Sequence, residues 1–253
     1  ATTQGRGRMR YLVVADIHSN LEALQTVMRH AESQGGFESI WCLGDIVGYG
    51  SDPAPCIDLL RSYPLASVSG NHDLAAIAVL SLDEFNGYAK EAVLWTRQQL
   101  GSDHREFLAG NPMTRVENGV TLLHGTPRDP IWEYFLPQFL STTDVADSFL
   151  QFSTQSCLVG HSHIPFMCIE DGAQFIQLQP ERKTLFSQAR CVVNPGSVGQ
   201  PRDGDSRAAY ALYDAETDTL THYRVAYDIE ATQAKIIAAG LPDILASRLS
   251  DGR

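Results

Sequence analysis

Five times along this chain a short apolar run stops at Asp, Asn or His. The stops are Asp16-Ile17-His18, Gly44-Asp45, Gly70-Asn71-His72-Asp73, a lone His124, and Gly160-His161-Ser162-His163. Each run before them reads as a β-strand. A fold that sets those strands side by side gathers oxygen and nitrogen ligands along one sheet edge. That is how a protein holds two divalent cations.

The pattern between the stops says which sheet. Residues 10–15 read as a buried strand, and a helix follows with Leu21, Leu24, Val27, Met28 and Ala31 on one face. Ser19 and Glu22 have capping-box spacing, and Gly35-Gly36 ends the helix. Residues 39–43 and 65–68 are further strands with a helix over 53–62 between them. Such a strand–helix–strand rhythm implies a parallel sheet covered on both faces. Residues 72–110 read as mostly helical. Asn118-Gly119 turns a hairpin between 113–117 and 120–123. The aromatic stretch 126–150 reads as a loop and helix over the site. Strands follow at 156–159 and 190–193, with hairpins over 166–179 and 208–227, then a terminal helix. Early strands are parallel and late ones antiparallel, so a mixed sheet or two stacked sheets is expected. Residues 1–8 read as a flexible leader and 9–253 as one domain.

Composition narrows the function classes. The net charge of −11 argues against a non-specific grip on nucleic acid. Nucleotide substrates stay open, because bound cations invert the local field at a site. No run reaches the ~18 apolar residues of a membrane span, and the polar start shows no signal peptide. Of five cysteines, Cys42, Cys157, Cys168 and Cys191 sit in strand-like runs and read as reduced core residues. The cytoplasm is the expected compartment.

In an extended strand, residues two apart share a side. Asp16 and His18 then grip one ion together with Ile17 turned into the core, and His161 and His163 repeat the spacing. A mixed oxygen–imidazole set suits Mn, Fe, Zn or Ni, whereas all-oxygen sets suit Mg or Ca. Glycine before Asp45 and before Asn71 lets the backbone turn sharply. Seven candidate ligands (Asp16, His18, Asp45, Asn71, His124, His161, His163) suit two ions, and Asp45 has two oxygens with which to bridge them. Singly, each group reads as nothing: a chance Asp-x-His, a satisfied core histidine, a turn. Together and in order, coincidence is remote. His30, His104 and His222 have no such context and read as surface residues.

These five blocks resemble the calcineurin-like metallophosphoesterase superfamily: Asp-x-His, Gly-Asp, Gly-Asn-His-[Asp/Glu], a single His, and Gly-His-x-His. Ala15 to Asn20, Gly44 to Gly50 and Asn194 to Ser197 extend the likeness to its small bacterial and archaeal phosphodiesterase branch. The resemblance implies an α/β fold, a four-layer α/β/β/α sandwich with two mixed sheets. It implies two divalent metal ions, with Mn²⁺ expected and Fe, Ni or Zn as alternatives. Asp16, His18, Asp45 and His163 would hold the first, and Asp45, Asn71, His124 and His161 the second. His72 would face a small phosphorylated substrate as general acid or phosphate donor. The implied reaction is phosphodiester hydrolysis by in-line attack of a metal-bridging hydroxide, the ions ~3.5–4 Å apart. The alternatives are a phosphomonoesterase, a dinucleoside-polyphosphate hydrolase and, behind those, a protein-binding scaffold.

One departure stands out. Phosphoprotein phosphatases continue the second block as Gly-Asp-x-Val-Asp-Arg-Gly, where Asp orients the catalytic His and Arg binds phosphate. Gly48 and Tyr49 stand at those positions here, which favours a diester or a small phosphorylated metabolite. Weaker substrate contacts are Asn20, against helix N-terminal duty, and Arg202, against an ordinary loop Arg. Trp132 and Tyr134 read as stacking on a base or as lid packing.

Overall fold

The computed structural model describes residues 9–186 and 188–253; the leader read at 1–8 lies outside them. In chain order the elements are β1 (Arg10–Val14), α1 (Leu21–Ser33), β2 (Ser39–Cys42), α2 (Pro53–Arg61), β3 (Leu65–Ser67), α3 (Asn71–Ala76), α4 (Gly87–Gln99) and α5 (Ser102–Ala109). Then come β4 (Thr114–Glu117), β5 (Val120–Leu123), α6 (Thr142–Leu150), β6 (Ser156–Leu158), β7 (Phe166–Ile169), β8 (Gln174–Gln177) and β9 (Lys183–Leu185). The last are β10 (Cys191–Asn194), β11 (Ala208–Asp214), β12 (Thr219–Val225), α7 (Ile229–Ala238) and α8 (Asp243–Asp251).

Two six-stranded mixed sheets result, ordered β3-β2-β1-β11-β12-β9 and β4-β5-β6-β10-β7-β8. Strands β1, β2 and β3 run parallel, as do β5, β6 and β10. Strand alternation sorts their side chains into layers. Tyr11, Val13, Trp41 and Leu43 face Leu122, Leu158, Met167 and Val193 of the other sheet. Leu12, Val14, Ile40 and Cys42 face Leu24, Val27 and Ile57 on α1 and α2. Helix α6 covers the outer face of the second sheet through Val145 and Phe149. Each fully buried aliphatic here stabilises the fold by roughly 1.5–3 kcal/mol. The result is the expected four-layer sandwich.

Several details differ from the sequence reading. Asn20, not Ser19, caps α1: its Oδ1 accepts from Ala23 N–H at 3.1 Å. Ser19 has φ 55° and its buried Oγ has no partner, while Glu22 pairs with Lys235. A chain that must turn left-handed at Ser19 cannot cap from there. Two helices, α7 and α8, close the fold instead of one, and the short edge strand β9 carries no apolar signal. All five cysteines are free and buried, Cys56 included. Among the described residues no helix is long and apolar enough to cross a membrane.

His222 was expected at the surface, yet it is buried in β12 with neither ring nitrogen in a well-formed hydrogen bond. Its polar ring fills an inward strand position. Burial, then Arg224, hold its pKa at about 3 against 6.5 when exposed. Below pH 6.5 the unfolded chain therefore binds a proton that the folded chain refuses. Stability falls by about 1.4 kcal/mol per pH unit until about pH 3. Urea melts should show His222→Leu losing about 2 kcal/mol less than wild type between pH 7.5 and pH 5. Parallel pH profiles for the two proteins would refute this.

Candidate metal centre

The carboxyl ends of both parallel trios point at one place, where α/β sheets habitually bind ligands. Backbone hydrogen bonds lock their loops together. Asp16 N–H donates to Gly44 O, Gly160 N–H to His124 O, and Gly199 N–H to Asp16 O, at 2.8–3.1 Å. Asp73 clamps two loops, accepting from Val47 N–H and Gly70 N–H at 3.1 Å each.

The ligand loops are not extended. Asp16, His18, Asp45, Tyr49, His161 and His163 all have φ between 49° and 65°. Strand alternation is therefore not what brings Asp16 to His18, or His161 to His163. Each pair converges because both its members lie past a strand end in left-handed conformation. Such backbone costs an L-residue roughly 1–2 kcal/mol, and strain of this kind gathers at functional sites.

All seven predicted ligands meet, buried, in two groups. His163 Nε2 lies 3.1 Å from His18 Nε2 and 3.5 Å from Asp16 Oδ1. His124 Nε2 lies 3.2 Å from Asn71 Oδ1 and 3.1 Å from His161 Nδ1. Asp45 Oδ2 lies between the groups, 3.6 Å from His18 Nε2 and 3.3 Å from His124 Nε2. Its Oδ1 accepts from His72 N–H at 2.9 Å.

Each histidine sends one nitrogen inward and the other to a main-chain carbonyl. His18 reaches Val47 O, His124 Leu43 O, His163 Gln200 O and His161 Trp132 O, at 2.6–3.1 Å. Such bonds fix the tautomer and leave the inward nitrogen a lone pair, the usual support of a metal-ligating imidazole. Burial drives His161 down to about 3 and lowers His18 and His163 as well. Neutral imidazoles are what a metal requires. Burial also opposes the charges of Asp45 and His124, but their mutual attraction wins, holding Asp45 low and His124 at about 9. Asp16 Oδ2 is buried without a hydrogen-bond partner. Close-set nitrogens, facing carboxylates and an orphaned oxygen fit divalent cations.

Beside the ligands opens a cavity of about 570 Å³, lined by Asp45, Asn71, His72, His161 and His163 together with Tyr49, Phe85, Trp132, Tyr134 and Arg202. His72 faces it. Asn20 does not: its amide caps α1 and donates to Gly199 O and Tyr227 Oη. Tyr134 stacks on His161 with centroids 4.1 Å apart. Trp132 meets Phe85 edge-on at 5.1 Å. Sequence reasoning missed the cavity roles of Tyr49 and Phe85. Asp73 was quoted within its block but given no task.

The comparisons with known proteins agree with this geometry. Residues 9–218 match the calcineurin-like phosphoesterase superfamily domain. The chain belongs to that superfamily, whose members are metal-dependent, and it is a phosphoester hydrolase by class. It is 40% identical over 95% of its length to the uncharacterized protein MJ0912 of Methanocaldococcus jannaschii, covering 97% of that protein. The crystal structure of a metallophosphoesterase from Sphaerobacter thermophilus is 41% identical, with a TM-score of 0.86 over 97% of this chain and 100% of that one. The hypothetical protein PH1004 from Pyrococcus horikoshii OT3, 22% identical, shares the fold with a TM-score of 0.78 over 96% of this chain and 98% of that one.

Proposed function

We propose that this chain is a two-metal phosphodiesterase of the cytoplasm, acting on a small phosphorylated substrate, with residues 9–253 as its single domain. The observation that carries this reading is two donor groups sharing one carboxylate, Asp45, at the floor of an open cavity. Asp16, His18, Asp45 and His163 would hold one ion, Mn²⁺ by preference, and Asp45, Asn71, His124 and His161 the other. When bound, such ions supply a water of lowered pKa and neutralise the phosphoryl oxygens.

The chain's own groups do the rest. Asn71 and His72 meet the phosphoryl group from the cavity floor, and His72 serves the leaving oxygen as acid or hydrogen-bond donor. Arg202 meets the substrate from the wall. The absence of an Arg at position 49 supports a diester, which carries less charge than a monoester. Five buried, free cysteines support a reducing compartment.

The test is hydrolysis by Mn²⁺-loaded protein of an aryl diester, an aryl monoester and a dinucleoside polyphosphate, with the diester expected fastest. His72→Ala should lower kcat on the diester by about 10²–10⁴, with two ions per chain retained by elemental analysis. A loaded protein inert towards all three substrates would end this reading. A monoester turned over fastest would move it to a phosphomonoesterase.

A further inference from the structure

Gln200, in the loop after β10, is a buried polar residue. Its main chain is fully engaged. Its N–H donates to Ser197 Oγ at 2.8 Å, and Ser197 Oγ donates to Asp16 O at 2.7 Å. Its carbonyl oxygen accepts from His163 Nδ1 at 2.6 Å. Gly199, just before it, lies so close to the Asp16–His18 turn that a Cβ there would fall 1.8 Å from Ile17 O. Main-chain contacts and Ser197 thus already fix the loop to the turns that carry Asp16 and His163, without the Gln200 amide.

The amide meets Arg202. A guanidinium only donates, so the amide turns its oxygen towards it. Gln200 Oε1 accepts from Arg202 Nη2 at 2.7 Å and from Nε at 3.2 Å. The guanidinium carbon then stands 5.7 Å from the Tyr49 ring centroid, with Nη2 3.4 Å from Tyr49 Oη. The Tyr49 ring packs against that of His72, centroids 4.4 Å apart. Arg202, Tyr49 and His72 line the one cavity with Asp45 and Asn71, and Gln200 stays behind its wall.

The chemistry of the partner is informative. Arg202 has no carboxylate within ion-pair distance among the described residues. Acids that follow it closely in sequence are taken: Asp203 pairs with Arg224, and Asp205 with Arg207 at 2.7 Å. A carboxylate at position 200 would orient the guanidinium as well and cancel its charge. An amide oxygen orients it and leaves the charge whole. A planar guanidinium suits phosphate oxygens, and a side chain held in advance lowers the entropy cost of binding.

We infer that Gln200 is a positioning residue, whose amide oxygen aims the Arg202 guanidinium, charge intact, at the phosphoryl group bound beside Asn71 and His72. Arg202 touches the substrate, and Gln200 acts through it. The inference rests on the phosphoesterase reading and assigns what sets Arg202 in place.

The test is equilibrium binding of methylphosphonate, a tetrahedral oxyanion that is not hydrolysed, by calorimetry to the full Mn²⁺-loaded chain. Arg202→Gln should weaken binding about tenfold, the scale of a charge-assisted hydrogen bond. Gln200→Met, of similar length but without the acceptor, should weaken it about threefold to tenfold. In the Arg202→Gln background the same change should alter binding by less than about twofold. Gln200→Glu keeps the fork and neutralises the charge, so it should bind at least as weakly as Gln200→Met. A structural role alone would be rescued by glutamate and would act whether or not Arg202 is present. Elemental analysis should give every variant the wild-type metal content. Melting curves identify a Gln200→Met chain that fails to fold, in which case Gln200→Asn, one methylene too short for the fork, carries the same comparison. No methylphosphonate binding in wild type, wild-type affinity in Arg202→Gln, Gln200→Met or Gln200→Glu, or a Gln200 effect that persists without Arg202 would each overturn the assignment. No turnover is needed. A chain that hydrolyses diesters without this coupling keeps its chemistry and loses the positioning role, and one that shows the coupling but hydrolyses nothing does the reverse.

Discussion

Asp45→Ala should leave a folded chain that retains less than one Mn²⁺ and has kcat/KM lowered by at least about 10³. Asp45 is the carboxylate that reaches an inward ring nitrogen of both donor groups, its Oδ2 lying within 3.6 Å of both His18 Nε2 and His124 Nε2. Its Oδ1 takes the His72 main-chain N–H. On the proposed reading, one truncation removes a ligand from each site and releases His72, which lines the cavity. Charge stabilisation by bound ions is worth several kcal/mol, and each 1.36 kcal/mol is a factor of ten. Asp45→Asn separates the contributions: an amide oxygen can still take the His72 N–H, but the charge is gone. Elemental analysis, circular dichroism and turnover of the same samples decide the matter. A variant holding two ions, or keeping more than a tenth of wild-type turnover, would contradict a bridging role.

How much of this was legible beforehand divides by the range of the interaction. Apolar runs of four or five residues announce buried strands because burial is a property of the run itself, so β1, β2, β5, β6 and β10 were readable. Asn118-Gly119 announced its hairpin because a tight turn needs left-handed residues, and both adopt φ above 40°. The seven candidate ligands could be picked out because metal chemistry restricts residue types, and the fold does bring them together. The geometry that unites them was not. Asp16 and His18 looked like alternate residues of a strand, whereas both are left-handed, held so by loops nearly 30 and 145 residues away in His18 N–H to Asp45 O and His161 N–H to Asp16 Oδ1. The carbonyls that orient the histidines, those of Val47, Leu43, Gln200 and Trp132, carry no side-chain signal at all. The place of α8 was invisible for the same reason: only tertiary packing brings Leu245 and Leu249 to Tyr49. His222 failed in the other direction, a polar residue that occupies a core position with neither ring nitrogen in a well-formed hydrogen bond.

Gly48→Ala should cost nearly as much activity as deleting His72, about 10²–10³ in kcat, with both metal ions retained. Relatives that carry Asp at this position use it to orient the histidine, and its replacement by glycine left His72 without an evident support. The structure supplies a different one. A Cβ at Gly48 would stand 2.4 Å from His72 Nδ1 and 2.9 Å from its Cγ, so the ring occupies the space that a side chain would take. Gly48 also has φ +93°, a conformation that disfavours other residues. The ring is held by packing: Tyr49 at 4.4 Å, His18 edge-on at 4.9 Å and Phe85 edge-on at 5.0 Å between centroids. Its Nδ1 is buried without a hydrogen-bond partner, and burial holds its pKa down at about 4. Alanine must therefore push the ring out of a slot with three closed walls. The sharper variant is Gly48→Asp, which restores the carboxylate of the relatives. If an acidic partner were simply missing, this change would raise turnover. Because the ring already fills the slot, Gly48→Asp should be no better than Gly48→Ala. A Gly48→Asp enzyme faster than wild type on the diester would show that His72 lacks a partner rather than standing in its place.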